Sequence, residues 1–128
     1  MVWYLDTSAF LKLMTTEDES NALREWFSSH ESVWSSQLLR TEAQRAGARL
    51  GIDADVVEDA LETISLVLPS VATFFIAGRL TPSSLHSLDA VHLATAMEIG
   101  EDLDGVVAYD ERLIEAARAH LLNVVSPR

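Results

Sequence analysis

Val2-Trp3-Tyr4-Leu5-Asp6-Thr7-Ser8-Ala9-Phe10-Leu11-Lys12-Leu13-Met14 passes from a short apolar run through an acid to residues at helical spacing. The run Val2–Leu5 reads as a buried strand. Thr7-Ser8 can cap a helix that carries Phe10, Leu11, Leu13 and Met14. The same order recurs late in the chain, where the apolar strand Gly105–Tyr109 meets Asp110 and then the helix Glu111–His120. Between these units the periodicity predicts further elements. Ser20–His30 is helical, Val33-Trp34 is a short strand, and Ser35-Ser36 precede a helix through Arg49 that Gly51 closes. Asp53–Ser65 reads as a helix with Val56, Val57, Ala60, Leu61 and Ile64 on one face. Leu66-Val67-Leu68 before Pro69 is a strand, Val71–Leu80 an apolar helix ended by Pro82, Ser87–Ile99 a helix closed by Gly100, and Asn123–Val125 a last strand. Strands alternating with helices imply an α/β fold with a parallel sheet sandwiched by helices.

The chain has 128 residues, 48% of them hydrophobic, which suits one globular domain over residues 1–128. There is no cysteine, so neither a disulfide framework nor a thiolate zinc site is available. No apolar run approaches the ~20 residues of a membrane span. The opening Met1–Asp6 lacks the basic region of a signal peptide. A cytoplasmic protein without membrane partners is expected. Nine basic residues face twenty acids, for a formal net charge of -11. Simple nucleic-acid binders are usually basic. This balance points instead to a cation ligand or a basic protein partner, or to nothing more than a well-solvated acidic surface.

Most acids lie in polar clusters such as Glu17-Asp18-Glu19, but four sit in apolar or helix-start settings. Asp6 and Asp110 each follow a strand, where open α/β sheets gather ligands; each could equally be a helix cap. Asp89 opens a helix that is apolar almost all round, and a carboxylate on a buried helix must be paired or bind a metal. Its alternative is to stabilise the helix N-terminus. Glu42 lies early in the Ser36–Arg49 helix, where a surface pair with Arg45 would also explain it. His92, one turn from Asp89, is either an outer partner of the site or, by preference, a core histidine satisfied by a backbone carbonyl. Ser8 can hydrogen-bond near Asp6, and Arg40, Arg45 and Arg49 could steer a phosphate backbone or simply be solvated.

Taken together, the four acids make chemical sense. Carboxylates ~4 Å apart repel by about 4 kcal/mol at an effective dielectric of 20, so a cluster needs cations. Mg²⁺ or Mn²⁺ prefers oxygen ligands, keeps waters, and can support in-line displacement at a phosphodiester. Serine–histidine catalysis has no nucleophile elbow, and no Gly-rich phosphate loop or zincin histidine pair is present.

The segments carrying these acids resemble the motifs of PIN-domain nucleases, specifically VapC-type toxins of bacterial toxin–antitoxin pairs. They are Tyr4–Leu13, Ser35–Ala46 with its acid at Glu42, Ser87–Ala96 with its acid at Asp89, and Val106–Leu113 with its acid at Asp110, followed by Asn123–Pro127. The resemblance covers nearly the whole chain in order, except Gly51–Leu85. It implies a three-layer α/β/α fold, Mg²⁺-dependent RNA cleavage, dimerisation, and neutralisation by a cognate VapB-type antitoxin. It makes Asp6 and Asp89 the direct metal ligands, with Glu42 and Asp110 completing the catalytic pocket. A housekeeping RNA-processing role and a catalytically silent binding module remain open alternatives.

Two expectations concern partners. The run Val71-Ala72-Thr73-Phe74-Phe75-Ile76 is more apolar than one buried helix face requires, so part of it either meets a second subunit in a homodimer or lies fully in the core. An inhibitor of a four-carboxylate pocket should be basic and insert an Arg or Lys, lying over a groove that could include Phe10, Leu13, Trp26 and Phe27.

Overall fold

The computed structural model describes residues 1–128. Five strands, β1 (Val2–Leu5), β2 (Val33–Ser36), β3 (Ser65–Val67), β4 (Leu103–Val107) and β5 (Val124–Val125), form one sheet in the order β3-β2-β1-β4-β5. Every neighbouring pair is parallel, with Tyr4 opposite Trp34 on one side and Val106 on the other. The helices are α1 (Thr7–Met14), α2 (Ser20–Ser28), α3 (Leu38–Arg49), α4 (Ala54–Leu61), α5 (Val71–Arg79), α6 (Ser87–Ile99) and α7 (Glu111–Ala119).

The period of two along each strand divides the core into layers. Leu5 and Val107 point to one face, where Phe10 of α1, Leu23 of α2, Leu39 and Ala43 of α3 and Val57 and Leu61 of α4 cover them. Tyr4 and Val106, one residue back, point to the other face and meet Leu93 and Ala96 of α6 and Leu113, Ile114 and Ala117 of α7. Helix α5 lies outside α6, with Ala77 packed on Ala90, Val91 and Ala94. The result is the expected three-layer α/β/α sandwich. Gly105 lets β5 approach β4, since a Cβ there would stand 2.7 Å from the Asn123 carbonyl oxygen and 2.7 Å from the Trp3 ring. No helix is long and apolar enough to cross a membrane.

Chain order places the site. From β1 the chain builds outward through β2 to β3, then returns to lay β4 on the other side of β1. The direction of winding reverses between β1 and β4, and in such sheets the crevice beyond the carboxyl ends at that reversal is where ligands bind.

Several local expectations shift. Asp6, not Thr7 or Ser8, is the N-cap of α1, accepting from the Ser8 amide at 3.3 Å. Ser35 and Ser36 belong to β2, held by the Ser35 hydroxyl donating to the Leu5 carbonyl at 2.7 Å, while Ser36 Oγ still accepts from the Leu38 amide. Helix α4 stops at Leu61 rather than Ser65; the Thr63 hydroxyl and amide both turn back onto the Ala60 carbonyl, and Ser65 opens β3. Strand β4 begins at Leu103, because that residue already pairs with Val2. Helix α5 is not fully buried: Phe74 and Phe75 are 56% and 66% exposed. Phe10 is core, and Leu13, Trp26 and Phe27 are partly buried against the same cluster.

Candidate active site at the switch between β1 and β4

Asp6 leaves the end of β1, and its backbone amide donates to the Val107 carbonyl at the end of β4 (3.0 Å). Ser8 completes the join. Its hydroxyl donates to Asp6 Oδ2 at 2.7 Å and accepts from the Tyr109 amide at 3.0 Å, so one side chain ties the first acid to the β4 end of the crevice. Asp6 is only 2% exposed, and its Oδ1 is the one buried side-chain oxygen without a hydrogen-bond partner. Burial pushes its carboxyl above the usual range, against the opposing pull of the His92 charge and the Ser8 hydrogen bonds.

Asp89 lies in the first turn of α6, whose middle, Ala90–Ala96, is entirely buried. Its carboxyl is also raised, first by burial and then by the negative charges of Asp6, Asp110 and Glu42. That coupling places all four acids within one electrostatic neighbourhood. Asp110 is exposed and caps α7, its Oδ1 accepting from the Arg112 and Leu113 amides at 2.9 and 3.2 Å. The cap reading and the site reading are therefore compatible: one oxygen serves the helix, and Oδ2 makes no hydrogen bond within the chain.

Glu42 reaches the site from α3. Its partner is not Arg45, which is exposed, but His92, whose Nε2 lies 2.6 Å from Glu42 Oε1. The Thr7 hydroxyl donates to the same oxygen at 2.9 Å and stands 3.0 Å from Nε2. Fully buried His92 thus has no backbone carbonyl as partner; its other nitrogen, Nδ1, lies 2.7 Å from the Tyr4 hydroxyl. A carboxylate can only accept, so Nε2 carries a hydrogen, and in the neutral ring Nδ1 accepts from Tyr4. Burial alone would lower the His92 pKa, but the Glu42 hydrogen bond and the charges of Asp6, Glu42 and Asp89 outweigh it and leave the pKa raised. Arg40 is not brought to the acids. Two positions before Glu42, it lies on the far side of α3 and is paired with Glu58 and Gln37.

Sequence reasoning missed Tyr4 and Thr7. The signal was present for Tyr4: a tyrosine in a buried strand needs a partner for its hydroxyl. Nothing in the sequence alone said that the partner was His92, 88 positions on.

The donor set suits a hydrated hard cation rather than a closed cage. No three acidic or histidine side chains stand close enough to form a ready-made ligand group. A buried carboxylate oxygen without a partner, with further carboxylates coupled to it, is nonetheless what one or two direct oxygen contacts plus waters require.

Comparison with known proteins agrees with this architecture. Residues 3–119 match the PIN domain family. Ribonuclease VapC46 of Mycobacterium tuberculosis is 38% identical over 125 residues, covering 97% of this chain and 96% of that protein. Ribonuclease VapC35 of the same species is 39% identical over 135 residues, covering 97% and 96%. The crystal structure of Mycobacterium tuberculosis VapC20, a Sarcin-Ricin loop cleaving toxin, superposes with a TM-score of 0.78 at 18% identity over 98% of this chain and 99% of that one. A toxin–antitoxin complex from Klebsiella pneumoniae gives a TM-score of 0.76 at 18% identity, covering 98% of this chain and 97% of the matched chain. From its matched span and its relatives, this chain belongs to the PIN-domain family, within the VapC branch.

Proposed function

We propose that this chain is a metal-dependent endoribonuclease, the toxin of a type II toxin–antitoxin pair, that hydrolyses RNA phosphodiester bonds. The observation that carries the reading is the buried Asp6 carboxylate with its unpartnered Oδ1, coupled to Asp89 at the switch point of a PIN-domain sheet. The relatives named ribonucleases support it at 38% and 39% identity over nearly the whole chain.

Asp6 and Asp89 would hold the divalent cation, Mg²⁺ or Mn²⁺, with Glu42 and Asp110 completing the pocket. When bound, such a cation supplies an activated water and neutralises charge developing on the phosphate. The chain's own residues do the rest. Ser8 fixes the Asp6 carboxylate by its short hydrogen bond to Oδ2, leaving Oδ1 as the oxygen without a partner. Thr7 and His92 fix Glu42 and occupy the lone pairs of its Oε1, so that Oε2 is the oxygen left for water or cation. Asp110 caps α7 with one oxygen and keeps the other free for the pocket.

A cognate antitoxin of the VapB type would silence this pocket, and a basic residue inserted among the acids is the chemistry that fits. We also assign a homodimer, supported by the exposed apolar face of α5, where Val71, Phe74 and Phe75 stand out with Leu68 beside them. The test is cleavage by purified protein freed of any inhibitor. Structured RNA should be cut with Mg²⁺ or Mn²⁺ and left intact in EDTA; cleavage that persists in EDTA refutes the mechanism.

A further inference from the structure

A cleft of about 670 Å³ does not contain the four acids, but one of its lining residues, Arg112, donates its backbone amide to Asp110 Oδ1 at 2.9 Å. Its floor is apolar, formed by Pro82, Leu85, Ala116 and Ala119, and Arg112 stands at its edge. Arg112 Nη1 lies 3.2 Å from His86 Nε2. Guanidinium can only donate, so this His86 nitrogen accepts and the other carries the hydrogen.

The bond spans the starts of two helices. His86 is the N-cap of α6, three residues before Asp89, and Arg112 lies two residues after Asp110 in the first turn of α7. Arg112 thus joins the cleft to Asp110 through its backbone and to the start of α6 through its side chain. Four of the other eight cations are engaged within the chain. Lys12 pairs with Glu17 and Glu19, Arg40 with Glu58, Arg128 with Glu19, and Arg24 donates to the Leu13 and Thr15 carbonyls. Arg112 has one polar side-chain partner, an imidazole rather than a carboxylate, while Arg45, Arg49, Arg79 and Arg118 form no ion pair and do not line this cleft. Glu115 also lines the cleft, one turn on, but forms no ion pair with Arg112.

We infer that this cleft is a nucleotide subsite for the RNA strand flanking the scissile bond, resting on the ribonuclease reading above. Arg112, with four of its five N–H donors free, takes a backbone phosphate. The apolar floor takes the face of an unstacked base, as single-stranded RNA recognition requires. Glu115 offers an acceptor to an exocyclic amine or a ribose hydroxyl. The volume falls within the range of small-molecule sites and exceeds what a solvent channel between two helices needs. An RNA strand fits better than a protein segment because Arg112, which lines the cleft, is hydrogen-bonded through its amide to Asp110, one of the acids proposed to act on a phosphodiester.

The experiment compares wild-type chain with Arg112→Gln, Arg112→Lys and Arg118→Gln. The last removes the same charge from a part of α7 outside the cleft. The probe is a fluorescein-labelled single-stranded RNA decamer. Anisotropy is read in EDTA at several salt concentrations, and cleavage is read separately with Mg²⁺ or Mn²⁺. Arg112→Gln should weaken binding roughly tenfold and flatten the plot of log K against log salt by about 0.7, the increment of one single-strand phosphate contact. Arg112→Lys should retain the slope, and Arg118→Gln should match wild type. In cleavage the Arg112→Gln loss should fall on KM more than on kcat. Equal affinity and slope in wild type and Arg112→Gln overturns the subsite. So does wild-type protein that binds no RNA, or an Arg112→Gln defect confined to inhibition by a protein partner. Wild-type chain that binds RNA in this manner yet cuts none with either metal refutes the ribonuclease reading and leaves the binding result to stand by itself.

Discussion

Replacing Asp6 with asparagine should make the metal-free protein more stable while removing its response to metal. Asp6 is 2% exposed; Ser8 satisfies its Oδ2 and nothing satisfies its Oδ1. Asparagine keeps the volume. Its oxygen can keep the two Ser8 contacts, and its amide then turns two donors toward the neighbouring carboxylates. An unsatisfied buried polar atom costs about 1–3 kcal/mol. Relief of about 1–2 kcal/mol corresponds to a rise in Tm of roughly 4–8 °C for a domain of this size.

The pH dependence follows from the direction of the Asp6 shift. Burial raises its pKa in the folded state, so the folded protein binds the proton more tightly than the unfolded chain. Stability contributed by protonation is lost as pH rises through the folded value and is fully present below the unfolded value. The wild-type deficit relative to Asp6→Asn should therefore be greatest near neutrality and shrink on acidification. Mg²⁺ at ten times its Kd should add about 1.4 kcal/mol to the wild type, and the variant should show no comparable gain. Differential scanning calorimetry between pH 4 and 8, with and without Mg²⁺, measures all three effects. A metal-free variant that melts below wild type, or one that gains as much from Mg²⁺, would show that Asp6 is a structural cap and nothing more.

Three other outcomes are expected. His92→Ala strips the partner from Tyr4 and from Glu42 and leaves a cavity, so urea denaturation should show a loss of about 2–4 kcal/mol; a loss under about 1 kcal/mol would mean the buried network is idle. Phe75→Glu places a charge on the exposed face of α5, and light scattering at micromolar concentration should shift from dimer to monomer mass, whereas a wild-type monomer refutes the interface. With Arg112 as the one phosphate contact assigned to the strand, raising salt from 50 to 200 mM should weaken wild-type RNA binding by less than about tenfold, against the 10³–10⁵ of proteins with six to ten phosphate contacts; a steeper loss in anisotropy titrations would show that further arginines take part.

The strand–acid–helix units were legible because two periods meet at one residue. Alternation ends at Leu5 and at Val107, helical spacing begins within a few positions, and the acid stands between. A carboxylate there can cap the helix and face the crevice together, as Asp110 does, so the local pattern and the site share a cause. What the sequence hid was pairing across distance. Glu42 sits on a helix with Arg45 one turn away, and local spacing favoured that pair; only the fold brings in His92, 50 positions on. Arg40 shows the converse. It is two positions from Glu42 in sequence, but two residues turn an α-helix by about 200°, and the guanidinium ends on Glu58. The exposure of α5 was hidden for a different reason. Hydrophobic composition reports that a face needs cover, and α6 covers the Thr73 and Ala77 side alone.

The charge of the chain acquires a local meaning from these pairings. A net charge of -11 should repel a polyanion, but exposed charges are screened beyond roughly 8 Å at physiological ionic strength. What an approaching phosphate feels is therefore the crevice and its rim. In the crevice, Asp6 and Asp89 are buried enough that their charges are costly, which is why both carboxyls are raised and why a cation between them would be held more strongly than by the same acids on the surface. His92 holds Glu42 from beneath by a hydrogen bond to its Oε1. At the rim, Arg112 is left without a carboxylate partner while Lys12, Arg40 and Arg128 are neutralised by their neighbours. An acidic protein can thus present a locally attractive path for RNA, provided the attraction is concentrated at the one place where two helix starts and two strand ends meet.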